Sequence, residues 1–517
     1  MAPSTRRPTG ESHSRPQPVI ALVAITLGGL AIRLWSLDAA GVWFDEAYHV
    51  ALVRLPDIGG MLDAVMSNPP ADPLYPIVLR GWVGVAGHAD AAIRIPSVAF
   101  GTLTIPAAYW LARELDGRRA AAIVAALFVA LSPYALEFSR EAAPYALASL
   151  TTTLALAAAW RWRRTGVASD GFLAIGLGVV AAYSHYVAVV ILGLAWLLGV
   201  LRWAGPSRVG RGPWLIGLAV VLLAWVPWLA GLGTHWLSAA TPRATLESPA
   251  TLTQVVGALA QYVSGTAVLL EGVRPLLLAG LALSAILVVL GWVAGGDPDR
   301  RGLRVMVVIA GIVFVVPAVV SGLTGAWLFV AHFGLLMLPA MLAVVASGVV
   351  EAADVVDARH AVGRWVAGGL AAAWWVVAVI GIGMFNAVPP HGADGLRELA
   401  ATLQAGVAPG DVVLVAPAIL SPSVAQYTER RLTGIPADFD LWDMYSPAVR
   451  PASEERLRSA TQFAVAARTR VWLISRVDLD PDRVIRDELG GTFALVDRMD
   501  VEFATLYRFE GPASATP

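Results

Sequence analysis

The feature that most constrains this chain is a repeated one: apolar runs of about twenty residues, separated by short segments where arginine gathers. A helix needs about 20 apolar residues to cross the hydrocarbon of a bilayer. Such runs fall at about 18–37, 92–112, 119–137, 144–162, 170–184, 186–203, 213–232, 274–294, 303–322, 327–349 and 365–386. A soluble core cannot hide them all. Of 517 residues, 57% are hydrophobic and only 15% charged, and mean hydropathy is +0.66. The expectation is an α-helical polytopic membrane protein with about 11 transmembrane helices.

Arginine placement gives the expected topology. The segments 113–119, 161–166, 202–212, 297–304 and 357–364 are rich in Arg, and Arg6, Arg7 and Arg15 precede the first run. These fall on one side if residues 73–88 do not cross. That stretch is short, carries Arg80 and is broken by Pro and Gly, so it reads as a helix at the outer interface. The first run is long and lacks a clean small-residue cleavage site, which favours an uncleaved anchor over a signal peptide. The expected division is a cytoplasmic tail at 1–17, a membrane domain at 18–388 and an extracytoplasmic unit at 389–517.

The last unit differs in composition. Residues 391–517 carry 18 acids and 13 Arg, against 20 acids and 24 Arg in the rest. Short β-type segments (DVVLVAPA, RVWLISR, TFALVD, ATLYRF) alternate with amphipathic helical ones, predicting a small α/β domain. No cysteine and no lysine are present, which excludes thiolate ligands, disulfides and Schiff-base chemistry. No internal repeat of the secondary-transporter kind is evident, and nothing resembles a nucleic-acid footprint.

With that topology, the polar groups suited to chemistry gather on the outer face. Asp45 and Glu46 in WFDEAYH lie among Trp43, Phe44 and Tyr48, residues that suit the membrane interface. A carboxylate held partly out of water there can act as a base; the bland alternative is a solvated loop. Arg140 and Glu141 lie between two apolar runs, against the positive-inside trend. Arg140 either snorkels to lipid phosphate or forms a dedicated phosphate clamp. His185 sits within a long apolar stretch, as a functional group or as a neutral histidine bonded between helices. Asp72 and Tyr75 in NPPADPLY, Tyr186, Arg94 and His332 complete the candidate set. Carboxylates, an arginine and histidines beneath an aromatic rim suit a substrate with a lipid tail, a phosphate and a polar head. Glycosyl transfer from such a lipid needs a base for the acceptor hydroxyl and cations for the departing phosphate.

In order, WFDEAYH, NPPADPLYPIVLRGWVGVAGHADAAIRIPS, LSPYALEFSREAAPYAL and YSHY resemble glycosyltransferase family 39 and its bacterial relatives of the GT-C superfamily, which includes protein O-mannosyltransferases and the lipid A aminoarabinose transferase. The similarity is clear over residues 18–205 and looser beyond. It implies an integral enzyme of a bacterial-type plasma membrane, with its active site on the outer face. The implied reaction moves a sugar, mannose being the expected one, from a polyprenyl-phosphate donor to a glycan, lipid or protein acceptor, with inversion. On this resemblance Asp45 is the catalytic base and Glu46 positions Asp45 or the acceptor. Arg140, Glu141, Tyr145, His185 and Tyr186 match substrate-binding positions. Two positions depart from the family pattern. Ala143 stands where relatives often have a second arginine, and His332-Phe333 where a late span often carries Arg-Tyr. Some GT-C enzymes need a divalent ion, and Asp45, Glu46, His49 and His185 are possible ligands, but their spacing defines no closed site. Two other classes compete: a flippase for lipid-linked glycans, which predicts charges strung through helix interiors, and a non-catalytic scaffold, which would tolerate loss of Asp45.

Overall fold

The computed structural model describes residues 17–67, 72–203, 205–239, 274–324, 331–360, 362–387, 394–416, 420–434, 454–466, 468–475, 480–501 and 504–511. Helices dominate the first four-fifths: α1 (Gln17–Leu34), α2 (Phe44–Val53), α3 (Ile58–Ser67), α4 (Leu74–Ala86), α5 (Asp90–Leu115), α6 (Arg119–Leu131), α7 (Pro133–Ser139), α8 (Tyr145–Thr165), α9 (Ala168–Ser184), α10 (Tyr186–Val200), α11 (Arg211–Ala239), α12 (Arg274–Ala294), α13 (Gly302–Thr324), α14 (Leu338–His360) and α15 (Gly363–Ala387). The expected runs thus become helices within a few residues, with two exceptions. The run at 119–137 breaks at Ser132 into α6 and α7, bent by 57°. Of the run expected over 327–349, residues 331–336 form a 3-10 turn and the α-helix starts at Leu338, because Pro339 suits the first turn of a helix and not its interior. Residues 73–88 form the 13-residue α4, too short to span.

Among the described residues, three helices are long and apolar enough to cross a membrane: Asp90–Leu115, Arg211–Trp228 and Leu338–Asp357. The bent pair α6–α7 makes a fourth if counted as one span, and five further apolar helices are shorter. The outward faces are themselves apolar. Val19, Ile20, Val23 and Leu27 on α1, and Leu215, Ile216, Leu222 and Leu223 on α11, are exposed. A water-soluble bundle would not present faces of this kind. Inside, alanine-rich α5, α6, α8 and α14 share one core with Trp160, Trp196, Trp214 and Trp374. A second cluster gathers α2, α3 and α4 against α5 through Tyr75, Leu79, Met61 and Leu52. The arginine-rich loops at the other end are paired with acids. Arg118 meets Asp116, Glu351 and Asp354, and Arg164 meets Glu114.

The break at Ser132 has a local cause. Pro133 has no N–H, so the α6 carbonyl four residues before it loses its helical partner. Arg33, fully buried at the end of α1, supplies donors instead. Its guanidinium bonds Val129 O at 3.3 Å, Ala130 O at 3.2 Å, Gly29 O at 3.1 Å and Ser139 Oγ at 3.1 Å. Gly101 makes room for this joint, since a Cβ there would collide with the Ser139 side chain.

The remaining elements build a five-stranded sheet: α16 (Asp394–Gly406), β1 (Val412–Ala416), α17 (Ser421–Ala425), β2 (Leu432–Gly434), α18 (Glu454–Val465), β3 (Arg470–Ser475), α19 (Asp480–Gly490), β4 (Ala494–Val501) and β5 (Ala504–Glu510). Strand order is β2-β1-β3-β5-β4; β1 pairs in parallel with β2 and β3, and β5 runs antiparallel to both β3 and β4. Every residue of β1 is buried, because helices cover both faces. Leu414, Val471 and Leu473 face α18 and α19. Val413, Val415 and Ile474 face Leu396, Leu399 and Leu403 of α16, spaced as one helical stripe.

Candidate active site

The acidic pair opens α2, in the first helical turn, where carboxylates are favoured by the free N–H groups. Its two members have different surroundings. Glu46 is 2% exposed and accepts four hydrogen bonds: Arg94 Nε (2.7 Å) and Ala142 N (2.9 Å) on Oε1, Arg94 Nη2 (2.7 Å) and Trp43 N (2.9 Å) on Oε2. Arg94, from α5, uses its remaining N–H groups on Leu37 O, Ala40 O and Gly41 O, each at 2.8 Å. All five donors of this buried guanidinium are therefore taken within the protein, and none is left for a phosphate. Asp45 stands next to this joint but is half-buried, and the Tyr145 hydroxyl donates to its Oδ2 at 3.4 Å.

The turn 140–144 closes the site from the other side. Its Ala142 N–H is held by Glu46, and Ser97 Oγ reaches Ala143 O at 3.5 Å. Ser97 in turn bonds the Tyr75 hydroxyl at 3.0 Å, so Tyr75 lies fully buried beneath the turn. Ala143 is buried too, and its methyl fills a core position. Arg140 stays half-buried, and its Nη2 donates to Ser36 O at 2.6 Å. Desolvation, aided by Arg94, pulls its pKa down to about 10. Glu141 is buried in the same turn. Burial first, then repulsion from Asp45, Glu46 and Glu137, holds its carboxyl well above the ordinary range.

A second group adjoins through Tyr145, whose ring lies 6.0 Å from that of His185. His185 interrupts α9 and α10 in an extended conformation and caps α10, its Nδ1 accepting from Val187 N at 3.2 Å. Its ring stacks on Tyr186 at 4.8 Å. On the far side, His185 Nε2 is 3.8 Å from Asp72 Oδ2, and the Tyr186 N–H also bonds Asp72. Burial raises the Asp72 carboxyl, and its Oδ1 is buried with no hydrogen-bond partner among the described residues. His49 is buried between Tyr48 and Tyr75, and desolvation lowers its pKa to about 3.

The structure thus brings Asp45, Glu46, Arg94, Arg140, Glu141 and Tyr145 together, with His185, Tyr186 and Asp72 beside them and Tyr75 below. The His332 side chain lies outside the described residues. Among the described residues no three His, Asp or Glu side chains form a ligand set for a metal ion, and Glu46 has both oxygens occupied. The sequence reading missed Ser97, Arg33, Asp90, Arg397 and Tyr427. Arg33 carried a signal, an arginine inside an apolar run near the C-terminal end of α1. The others carried none, since their importance comes from contacts between distant parts of the chain.

Comparison with known proteins agrees with this picture. ArnT from Cupriavidus metallidurans, solved bound to undecaprenyl phosphate, superposes with a TM-score of 0.59 at 14% identity, over 96% of this chain and 98% of that one. The chain shares the fold of that protein. The archaeal oligosaccharyltransferase AglB from Archaeoglobus fulgidus, solved with an inhibitory peptide and a dolichol-phosphate, gives a TM-score of 0.57 at 10% identity, over 97% of this chain and 75% of that one. The arabinofuranosyltransferase AftD from Mycobacteria gives 0.50 at 17% identity, covering 99% of this chain but 41% of its own. The family model for dolichyl-phosphate-mannose-protein mannosyltransferase matches residues 67–230, which hold Asp72, Arg94, the 140–145 turn and His185. No curated protein sequence matches the chain.

Proposed function

We propose that this GT-C protein is a membrane glycosyltransferase that moves a sugar from a polyprenyl-phosphate donor to a hydroxyl acceptor on the outer face, with inversion. The observation that carries the reading is the Tyr145 hydroxyl on Asp45, with Arg140 bonded to Ser36 in the segment that leads to Asp45, in a fold that follows ArnT from end to end. Asp45 takes the proton of the acceptor hydroxyl as its oxygen attacks the anomeric carbon. The bond from that carbon to the phosphate oxygen breaks, and polyprenyl phosphate leaves with the electron pair. Asp45 then returns the proton to solvent. Arg140, the half-buried cation of the site, stabilises the charge on the departing phosphate.

In this reading Tyr145 orients Asp45. Glu46 and Arg94 hold the start of α2, which carries it, and the segment before it. Glu141, His185, Tyr186, Asp72, Tyr75 and His332 shape the donor and acceptor sites. Mannose is the expected sugar, and the acceptor is an envelope glycan, lipid or protein. Eleven helices cross the membrane, with the site and the sheet unit outside the cytoplasm. Turnover of a polyprenyl-phosphate sugar by the protein in lipid, and its loss in Asp45→Asn, tests the reading.

A further inference from the structure

The segment joining α1 to α2 is held in an unusual way. Six consecutive carbonyls accept from guanidinium groups. Ser36 O takes Arg140 at 2.6 Å, Leu37 O takes Arg94 at 2.8 Å, and Asp38 O takes Arg397 at 2.8 Å. Ala39 O takes Arg397 at 3.4 Å, and Gly41 O takes Arg94 at 2.8 Å. Ala40 O takes both, Arg94 at 2.8 Å and Arg397 at 3.1 Å. The next N–H, of Val42, donates to the Tyr427 hydroxyl at 2.5 Å. Arg94 and Arg140 belong to the helical body, whereas Arg397 and Tyr427 belong to the sheet unit. The segment is gripped from both sides, and α2 with Asp45 follows directly.

The outer grip has its own anchor. Asp90, in the first turn of α5, accepts from Arg397 Nη2 at 2.6 Å and from the Tyr427 hydroxyl at 2.7 Å, both on Oδ2. The neighbouring Gln426 bonds His88 O at 3.0 Å and receives Arg54 at 2.7 Å. The Tyr427 ring packs against the apolar cluster under α2 and also against the cluster on the α16 face of the sheet. One side chain therefore belongs to both units, and its hydroxyl ends on the backbone that leads to Asp45.

We propose that Arg397 and Tyr427, anchored on Asp90, are positioning residues for the segment that leads into α2 and its Asp45, so that the sheet unit is a working part of the active site. The proposal rests on Asp45 being the base. A base displaced by a fraction of an ångström loses much of its effect without loss of substrate binding.

The test uses the full-length protein in lipid and the variant Tyr427→Phe, which keeps the ring in both clusters and removes only the hydroxyl. Hydrogen exchange is expected to quicken at residues 42–49 and to stay unchanged elsewhere. In an assay with a polyprenyl-phosphate sugar, kcat is expected to fall about tenfold while the donor KM stays within about twofold. Unchanged exchange at 42–49 overturns the proposal. So does faster exchange throughout the protein, or faster exchange at 42–49 with kcat unchanged. The exchange arm decides even if no sugar donor is turned over, so failure of the functional reading and failure of this one are told apart.

Discussion

At the scale of the residue, neighbours in sequence have opposite situations. Glu46 has every lone pair engaged and sits in a buried pair with Arg94, whereas Asp45 is half-buried beside Tyr145. Removing one partner of such a buried pair costs about 3–5 kcal/mol, which is why Glu46 reads as a support. Glu141 gives a pH prediction. An acid whose folded-state pKa is raised binds its proton more tightly folded than unfolded. Folding then loses stability as pH rises from the ordinary value of 4.5 through the raised one. Glu141→Gln is therefore expected to melt with the wild type below about pH 4.5 and increasingly above it at higher pH. An equal difference at every pH contradicts this origin. The sequence made the acidic pair and the 140–145 turn legible, because charged residues between apolar runs stand out. It could not divide roles between Asp45 and Glu46, because that division comes from Arg94 and Ala142, far along the chain.

At the scale of the element, the helices were legible because each needs only its own run of apolar residues. The break between α6 and α7 was not, although Pro133 marks it, because proline inside an apolar run can also kink a continuous helix. What fixes the break is Arg33, whose guanidinium occupies the Val129 and Ala130 carbonyls at the broken end of α6. Arg33→Leu is expected to destabilise the protein by about 2–4 kcal/mol, since several buried acceptors lose their donors together. Exchange at residues 129–144 should quicken most, because α7 leads into the turn that meets Glu46. A melting temperature equal to that of the wild type, or uniform loosening, contradicts this account of the joint.

At the scale of the whole molecule, arginine distribution gives an expected sidedness for the helix ends, and in the fold Asp45, Tyr145, His185 and Asp72 lie next to one another. The docking of the sheet unit on α2 was invisible in sequence, since Asp90, Arg397 and Tyr427 are ordinary polar residues until the fold brings them together. The proposed topology can be tested directly, because the chain contains no cysteine. Single substitutions Asp299→Cys and Glu488→Cys are expected to react with an impermeant maleimide from opposite sides of sealed cells or vesicles; labelling of both from the same side contradicts it. The central claim is chemical, and one measurement bears on it most directly. Purified wild type and Asp45→Asn in lipid are given a panel of polyprenyl-phosphate monosaccharides, and both transfer and hydrolysis are followed. The account predicts turnover of at least one donor by the wild type and a loss of about a thousandfold or more in kcat for Asp45→Asn with the fold intact. Equal turnover by the two proteins contradicts Asp45 as the base.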